Sequence, residues 1–115
     1  MSYQLIKGEN LVKKEKFGIS LDSYPDIGNS GLVLIDTNKG HNQEFYDTKS
    51  TLHYIVIEGT GSFFLNDEEV PVKKGDYLSI FPYTKIYYKG KLKLLLVTNP
   101  SWEEVNEVET RSTIW

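Results

Sequence analysis

The chain has 115 residues, of which 39% are hydrophobic and 13% aromatic, so it can form one packed core but not two domains. Its formal net charge of −3 provides no basic surface to neutralise phosphates, which disfavours a nucleic acid as the main partner. The absence of cysteine excludes disulfides and thiolate metal sites, and the apolar runs are too short to span a membrane. We therefore expect a soluble, cytoplasmic, single-domain protein.

Short apolar segments alternate with Gly, Asn, Asp and Pro, a pattern typical of many short β-strands and not of amphipathic helices. In chain order, the predicted strands are Gln4–Ile6, Phe17–Leu21, Leu32–Asp36, Glu44–Asp47, Leu52–Glu58, Ser62–Leu65, Glu69–Val72, Tyr77–Phe81, Lys85–Lys89 and Leu92–Thr98. Before the second strand, Lys13, Lys14 and Lys16 lie among glutamates and are interpreted as a solvated face. The spacing of the strands predicts an all-β sandwich or barrel.

Residues that favour turns stand between the predicted strands. Tight turns are expected at Gly28–Gly31, Asn38–Gly40, Asn66–Asp67, Lys73–Asp76 and Lys89–Lys91. Because Pro71 cannot donate a backbone hydrogen bond to a neighbouring strand, its segment is predicted to lie at a sheet edge.

The last part of the chain, residues 101–115, is rich in glutamate and differs from the rest. Ser101 followed by Glu104 matches an N-terminal helix cap and favours a short helical turn. Three apolar residues are expected to anchor this tail on the barrel or on a second subunit: Trp102, Ile114 and Trp115. We therefore divide the chain into a barrel, residues 1–100, and a tail.

Two spaced patterns of the cupin superfamily can be laid on the sequence without an insertion or a deletion. The first family pattern places two histidines and a glutamate between two glycines, which are here Gly40 and Gly59. The second places a histidine after a glycine, which is here Gly75. The chain thus resembles a small single-domain cupin. The resemblance implies a jelly-roll antiparallel barrel, also called a double-stranded β-helix.

In cupins the histidines and the glutamate of these patterns usually hold a divalent metal ion, which needs several electron-pair donors at one point. The corresponding positions here carry Tyr46, Thr48, Leu52 and Ile86. Since two of these side chains have no donor atom, the resemblance implies a cupin without the usual metal centre and without a cofactor. One alternative stays open, because a β-bulge that changes strand parity would allow a metal site off the usual register. Its ligands would be His41, Glu44 and His53.

With the family register, alternate side chains of each strand face the mouth of the barrel. The residues predicted to bind a ligand there are Tyr46, Thr48, Tyr54, Tyr88 and Phe81. Phenol rings combine a stacking face with a polar tip and suit a sugar or a planar metabolite, although tyrosine is also common in strands as a packing residue. By the same parity His53 and Asp47 point outward, and His41 lies at the pocket rim or in an exposed loop.

Three functions are consistent with the sequence, which leaves open whether the protein is an enzyme. The first is a metal-free cupin that binds a small polar metabolite such as a carbohydrate. The second is a metal-independent isomerase or epimerase with acid–base chemistry at Tyr46, Tyr54 and His41. The third is a metal-dependent dioxygenase or isomerase that uses the off-register ligands. In each case the partner is a small molecule, not a nucleic acid or a membrane, and exposed strand edges favour a homodimer.

Overall fold

The structure, a computed structural model, describes residues 2–113, in which one antiparallel sheet of nine strands curls into a barrel. The strands are β1 (Val12–Lys16), β2 (Ile19–Ser23), β3 (Gly31–Thr37), β4 (Gly40–Asp47), β5 (Thr51–Leu65), β6 (Glu68–Lys73), β7 (Tyr77–Ile80), β8 (Ile86–Asn99) and β9 (Glu107–Ser112). Two short 3₁₀ helices lie at Gly8–Asn10 and Glu104–Asn106. No helix of this part of the chain is long and apolar enough to cross a membrane. The all-β prediction is confirmed.

Two long strands hold the barrel together, because each pairs with several others. β8 pairs with β3, β4 and β5, and β5 pairs in addition with β6 and β7. The sequence pattern divides each of these strands in two at a glycine, which usually marks a turn. Gly59 and Gly90 instead bend the strands within the ladder, where both have positive φ and where a Cβ at Gly59 would overlap the Lys91 carbonyl oxygen. The predicted turn at Lys89–Lys91 is therefore wrong.

The first strand begins later than predicted. Gln4–Ile6 lies outside the strands, and Val12–Lys16, which is exposed except for the half-buried Lys16, forms β1 instead. β1 and β2 form a hairpin whose two-residue turn consists of Phe17 and Gly18, with φ of 49° and 86°. Such turns require positive φ at both positions, which costs a residue with a Cβ about 1–2 kcal/mol. A phenylalanine at this turn is therefore unexpected.

The predicted turn at Asn66–Asp67 and the predicted edge strand are confirmed. Asn66 and Asp67 join β5 to β6 with φ of 50° and 67°, the left-handed pair of a tight hairpin turn. β6, which contains Pro71, pairs with β5 alone among the described strands. The missing amide hydrogen of Pro71 therefore faces away from the sheet's interior ladders.

The tail after residue 100 continues the sheet. Glu104–Asn106 forms the expected short helical turn, but its N-cap residue is Glu103 and not Ser101, and no side chain caps it. β9, which the sequence pattern does not predict, follows and pairs with β4. Ile114 and Trp115 lie outside the described residues. The sheet thus extends past the domain boundary that we expected at residue 100.

Inward-facing side chains of the curled sheet form the core. The fully buried apolar ones are Ile35, Phe63, Ile86, Tyr88, Leu92 and Leu94. On β5 the even-numbered residues Leu52, Tyr54 and Val56 are buried, as the predicted parity of this strand requires. Removal of this apolar surface from water is the main force that stabilises the barrel.

Candidate functional site

A cavity lies between the β1–β2 hairpin and the inner face of the barrel. Its polar lining includes side chains from separate strands: Lys16 from β1, His41 from β4, Tyr54 from β5, Tyr88 from β8 and Glu107 from β9. Apolar side chains form much of the remaining wall, among them Leu21, Ile35, Phe45, Leu52 and Leu96. An apolar wall with a few convergent polar groups is the usual form of a small-molecule site.

The imidazole of His41 is enclosed by aromatic rings. Its centroid lies 4.9 Å from that of Phe45, 5.4 Å from Phe17 and 5.6 Å from Tyr88, and the residue is 5% exposed. Burial lowers the pKa of His41 from 6.5 to about 4, because a charged imidazolium would lose its hydration. Its Nδ1 accepts the amide hydrogen of Gln43 at 3.4 Å. At neutral pH the ring is therefore uncharged.

Tyr54 and Tyr88 bring two phenol groups to the same cavity, with ring centroids 6.0 Å apart. Burial raises the pKa of both phenols above the ordinary value, so both stay protonated at neutral pH and act as hydrogen-bond donors. The Tyr88 hydroxyl is buried and has no hydrogen-bond partner in the described part of the chain. Since an unpaired buried hydroxyl costs about 1–3 kcal/mol, we expect a water molecule or a polar atom of a ligand to bond to it.

A charged pair with an indole lies at the edge of the cavity. Lys16 Nζ is 3.7 Å from Glu107 Oε2 and 4.9 Å from the centroid of the Trp102 ring. Trp102 Nε1 donates a hydrogen bond to Glu107 Oε1 at 3.2 Å. Burial raises the pKa of Glu107, while the charge of Lys16 acts in the opposite direction.

The sequence pattern does not identify this charged pair. Lys16 is half-buried, whereas Lys13 and Lys14 are exposed, so the interpretation of all three as a solvated face is wrong for Lys16. Lys16 differs from its neighbours because it is the last residue of β1, where the hairpin closes over the barrel. Glu107 belongs to β9, which was not predicted, so no sequence signal places it near Lys16.

Of the five residues predicted to bind a ligand, Tyr54 and Tyr88 line the cavity and the other three do not. Tyr46 stacks on Tyr83 with ring centroids 5.8 Å apart. Thr48 donates to the carbonyl oxygen of Asn106 at 3.2 Å, and Phe81 is 67% exposed. Of the three candidate catalytic residues, the cavity therefore brings together His41 and Tyr54 but not Tyr46.

The parity that we assigned to β4 is wrong. His41 and Phe45 line the cavity, and Asp47, predicted to face outward, is 2% exposed. The alternation of inward-facing and outward-facing side chains holds only within one strand. The turn after β4 changes which residues of the next strand face inward. In that turn Asp47 Oδ1 accepts the amide hydrogens of Lys49 and Ser50 at 2.8 and 2.6 Å, which holds its side chain inside the barrel.

The four positions that match the family's metal ligands do not fit a metal ion. Leu52 and Ile86 are buried and have no donor atom, and Tyr46 and Thr48 lie outside the cavity. Within residues 2–113 no group of three or more His, Asp or Glu side chains is arranged to hold a metal.

The off-register ligands also lie apart. His53 Nδ1 forms hydrogen bonds with Tyr77 Oη at 2.7 Å and Ser79 Oγ at 2.8 Å, away from the cavity. Glu44 is held by Arg111, whose Nη2 lies 3.1 Å from Oε2. Of the three proposed ligands only His41 lines the cavity, so a metal site made of His41, Glu44 and His53 is wrong.

No protein-family model matches the chain, and a search of curated proteins finds no match. Among solved structures, Pac13, called a unique nucleoside dehydratase, is 30% identical over 98% of this chain and 95% of its own, with a TM-score of 0.94. Streptomyces Pac13 with one histidine changed to glutamine, solved with uridine, is 29% identical over the same shares, with a TM-score of 0.94. Two further Streptomyces Pac13 structures with uridine each carry a change of tyrosine to phenylalanine. A cupin from Shewanella frigidimarina, 16% identical over 84% of this chain and 89% of its own, has the same fold at a TM-score of 0.68.

Proposed function

Since the chain belongs to the cupin superfamily and is 30% identical to Pac13, we propose that it is a dehydratase that removes water from a nucleoside bound in the barrel cavity. The observation that carries this proposal is the meeting of His41, Tyr54 and Tyr88 in one enclosed cavity. A neutral base and two protonated phenols are the groups that a metal-independent acid–base reaction needs. The proposal gives a ligand class to the small polar metabolite expected from the sequence.

The Pac13 structures with uridine support the choice of these three residues. The residues changed in them are one histidine and two tyrosines, at positions numbered one higher than His41, Tyr54 and Tyr88. The two chains match over nearly their whole lengths, which makes a constant difference of one residue plausible along the barrel. We therefore assign the binding and the chemistry of the nucleoside to this set.

Loss of water from a sugar ring breaks a C–H bond and a C–O bond on neighbouring carbons. The C–H electron pair forms a C=C double bond between them, and the C–O electron pair leaves with the hydroxyl oxygen. The site then needs a group that accepts the proton from carbon and a group that protonates the departing oxygen. The lone pair of the neutral imidazole is at Nδ1, where the long 3.4 Å bond from the Gln43 amide can be exchanged for the substrate proton. The imidazolium formed in this buried setting is a strong acid, so His41 can do both in turn. The proton taken from carbon leaves on the hydroxyl as water, and His41 is neutral again.

Tyr54 and Tyr88 act in this proposal as hydrogen-bond donors and not as bases, since burial keeps both phenols protonated. Donors fixed in a water-poor cavity stabilise negative charge that develops on a substrate oxygen. The Trp102 ring and the Lys16–Glu107 pair at the cavity edge offer a stacking face with donors and acceptors beside it. A nucleobase, which is planar and carries both donors and acceptors, suits this edge.

The test of the proposal is incubation of the purified protein with a panel of nucleosides that includes uridine, followed by mass spectrometry. We expect at least one nucleoside to lose the mass of one water molecule, and His41→Gln to abolish this loss while the protein stays folded. Tyr83→Phe is the matched control, because Tyr83 is 67% exposed and outside the cavity. A product of unchanged mass would instead identify an isomerase or epimerase. Absence of water loss from every nucleoside of the panel would contradict the proposal.

A further inference from the structure

Three aromatic rings enclose His41, and one of them does not come from the barrel wall. Phe45 and Tyr88 belong to β4 and β8, which pair with each other. Phe17 belongs to the turn of the β1–β2 hairpin, where it is half-buried, and its ring lies 5.4 Å from the imidazole at an angle of 46°. Phe17 therefore separates His41 from the solvent on the side of the hairpin.

Backbone carbonyl groups of this turn are linked by hydrogen bonds to the residues just before and just after His41 in the chain. The carbonyl oxygen of Phe17 accepts the amide hydrogen of Asn42 at 2.9 Å. The next carbonyl of the turn accepts the hydroxyl hydrogen of Thr37 at 2.9 Å, and Thr37 Oγ1 in turn accepts the amide hydrogen of Gly40 at 2.8 Å. The hairpin turn and the start of β4 are thus held as one unit, so the Phe17 ring has a fixed position over the imidazole.

The conformation of Phe17 is unfavourable for its own side chain. Its φ of 49° is uncommon for a bulky residue, and this turn position favours Asn, Asp or Gly. Residues held in such conformations cluster at functional sites. The formation of the hairpin alone does not explain a phenylalanine here, whereas its contact with His41 does.

We infer that Phe17 is a positioning residue for His41: its ring holds the imidazole against Phe45 and Tyr88 and keeps water away from it. The part of this inference that concerns turnover rests on the proposed function. The part that concerns the environment of the imidazole does not, and it can be measured without a substrate.

Charged and titratable groups from four other strands share this cavity: Lys14 and Lys16 on β1, Tyr54 on β5, Tyr88 on β8 and Glu107 on β9. Lys16 Nζ lies 5.9 Å from the centroid of the Phe17 ring. The charge of Lys16 lowers the pKa of His41, but burial is the larger cause. Loss of the Phe17 ring should therefore raise this pKa, because water then reaches the imidazole.

The test is an NMR titration of the imidazole in the full chain, without substrate. Phe17→Asn removes the ring and suits the turn, and we expect it to raise the pKa of His41 from about 4 toward 6.5. Phe17→Tyr keeps the ring and should keep the low pKa. Tyr83→Asn is the matched control, since Tyr83 also has a positive φ, 67°, but lies outside the cavity. The chain's other histidine, His53, gives an internal reference in the same spectra.

In turnover of a nucleoside substrate, Phe17→Asn should lower kcat roughly 10-fold to 100-fold with a smaller change in KM, and Phe17→Tyr should restore kcat. Phe17→Gly, which also suits the turn, replaces Phe17→Asn if that variant does not fold. An unchanged His41 pKa in a folded variant without the ring overturns the inference. If the wild-type protein shows no dehydratase activity, the proposed function fails, and the titration still decides the role of Phe17.

Discussion

The rings of His41 and Tyr88 lie 5.6 Å apart in the barrel cavity, and the Tyr88 hydroxyl has no bonding partner in the described part of the chain. A buried phenol hydroxyl without a hydrogen-bond partner lowers the stability of the fold unless a bound molecule forms that hydrogen bond. The Tyr88 hydroxyl and the neutral imidazole of His41 are neighbours in the cavity. A ligand that bonds to this hydroxyl should therefore also stabilise the fold.

Tyr88→Phe removes the unpaired hydroxyl and should leave the unliganded protein as stable as the wild type or more stable, by up to about 1–3 kcal/mol. Its affinity for uridine should fall about 3-fold to 10-fold, because the ligand loses one hydrogen bond. Thermal unfolding with and without uridine measures both effects. Tyr77→Phe, an exposed outer-face change, should keep the full uridine-dependent shift. A large loss of stability in unliganded Tyr88→Phe would show that the hydroxyl is paired.

The low pKa of His41 predicts how stability depends on pH. Between about 4 and 6.5 the unfolded chain binds a proton at this histidine and the folded chain does not, so stability falls as the pH falls through this window. The loss reaches about 3 kcal/mol at the lower end. Urea unfolding of wild type and His41→Gln at several pH values measures it. The free energy of unfolding of the variant should change less with pH than that of the wild type. An equal change in the two proteins would contradict a buried neutral imidazole.

The Lys16–Glu107 pair should contribute most to the free energy of unfolding at pH values at which Glu107 is charged. Burial raises the pKa of Glu107 and Lys16 opposes this rise, so Lys16→Met should raise that pKa further. At pH 8 the variant keeps a half-buried carboxylate without its partner and should lose about 1–3 kcal/mol, with less loss at pH 5. Adding Glu107→Gln to Lys16→Met should recover part of the loss. A loss that does not change with pH would show that only packing has changed.

Gly18 should tolerate alanine less well than Gly75 does. Both have positive φ, 86° and 91°, so both substitutions carry the same backbone cost of about 1 kcal/mol. A Cβ at Gly18 would lie 2.8 Å from the Gly40 carbonyl oxygen, whereas a Cβ at Gly75 meets nothing within 4 Å. Chemical denaturation should therefore show a loss for Gly18→Ala that exceeds the loss for Gly75→Ala by about 1–2 kcal/mol. Equal losses would mean that the hairpin turn is not pressed against the start of β4.

The barrel could be predicted from the sequence because its signals are local. Asn66 and Asp67 tolerate left-handed angles, Pro71 is excluded from inner strands, and even-numbered residues of β5 alternate with outward ones. These features depend on near neighbours in the chain. The inward direction of Tyr54 needed the family register in addition, because the resemblance implies which face of β5 points inward and the parity of the strand then places Tyr54.

The site was harder to predict because its parts are distant in sequence. The parity of β4 depends on how Asp47 folds back on the following turn, and no pattern in the strand itself reveals this. Phe17 does not look like a turn residue, so the hairpin that covers the cavity went unpredicted. Glu107 requires β9, an edge strand without alternation of apolar residues. The homodimer and the cytoplasmic location stay predictions, for which light scattering and cell fractionation are the measurements.

The most direct test of the central claim is a crystal structure of the protein with uridine. We predict that uridine lies in the barrel cavity, with its sugar beside His41 and with the Tyr88 hydroxyl donating a hydrogen bond to one of its oxygens. Uridine bound at the exposed Phe81 and Tyr83 surface, with the cavity filled only by water, would contradict the claim.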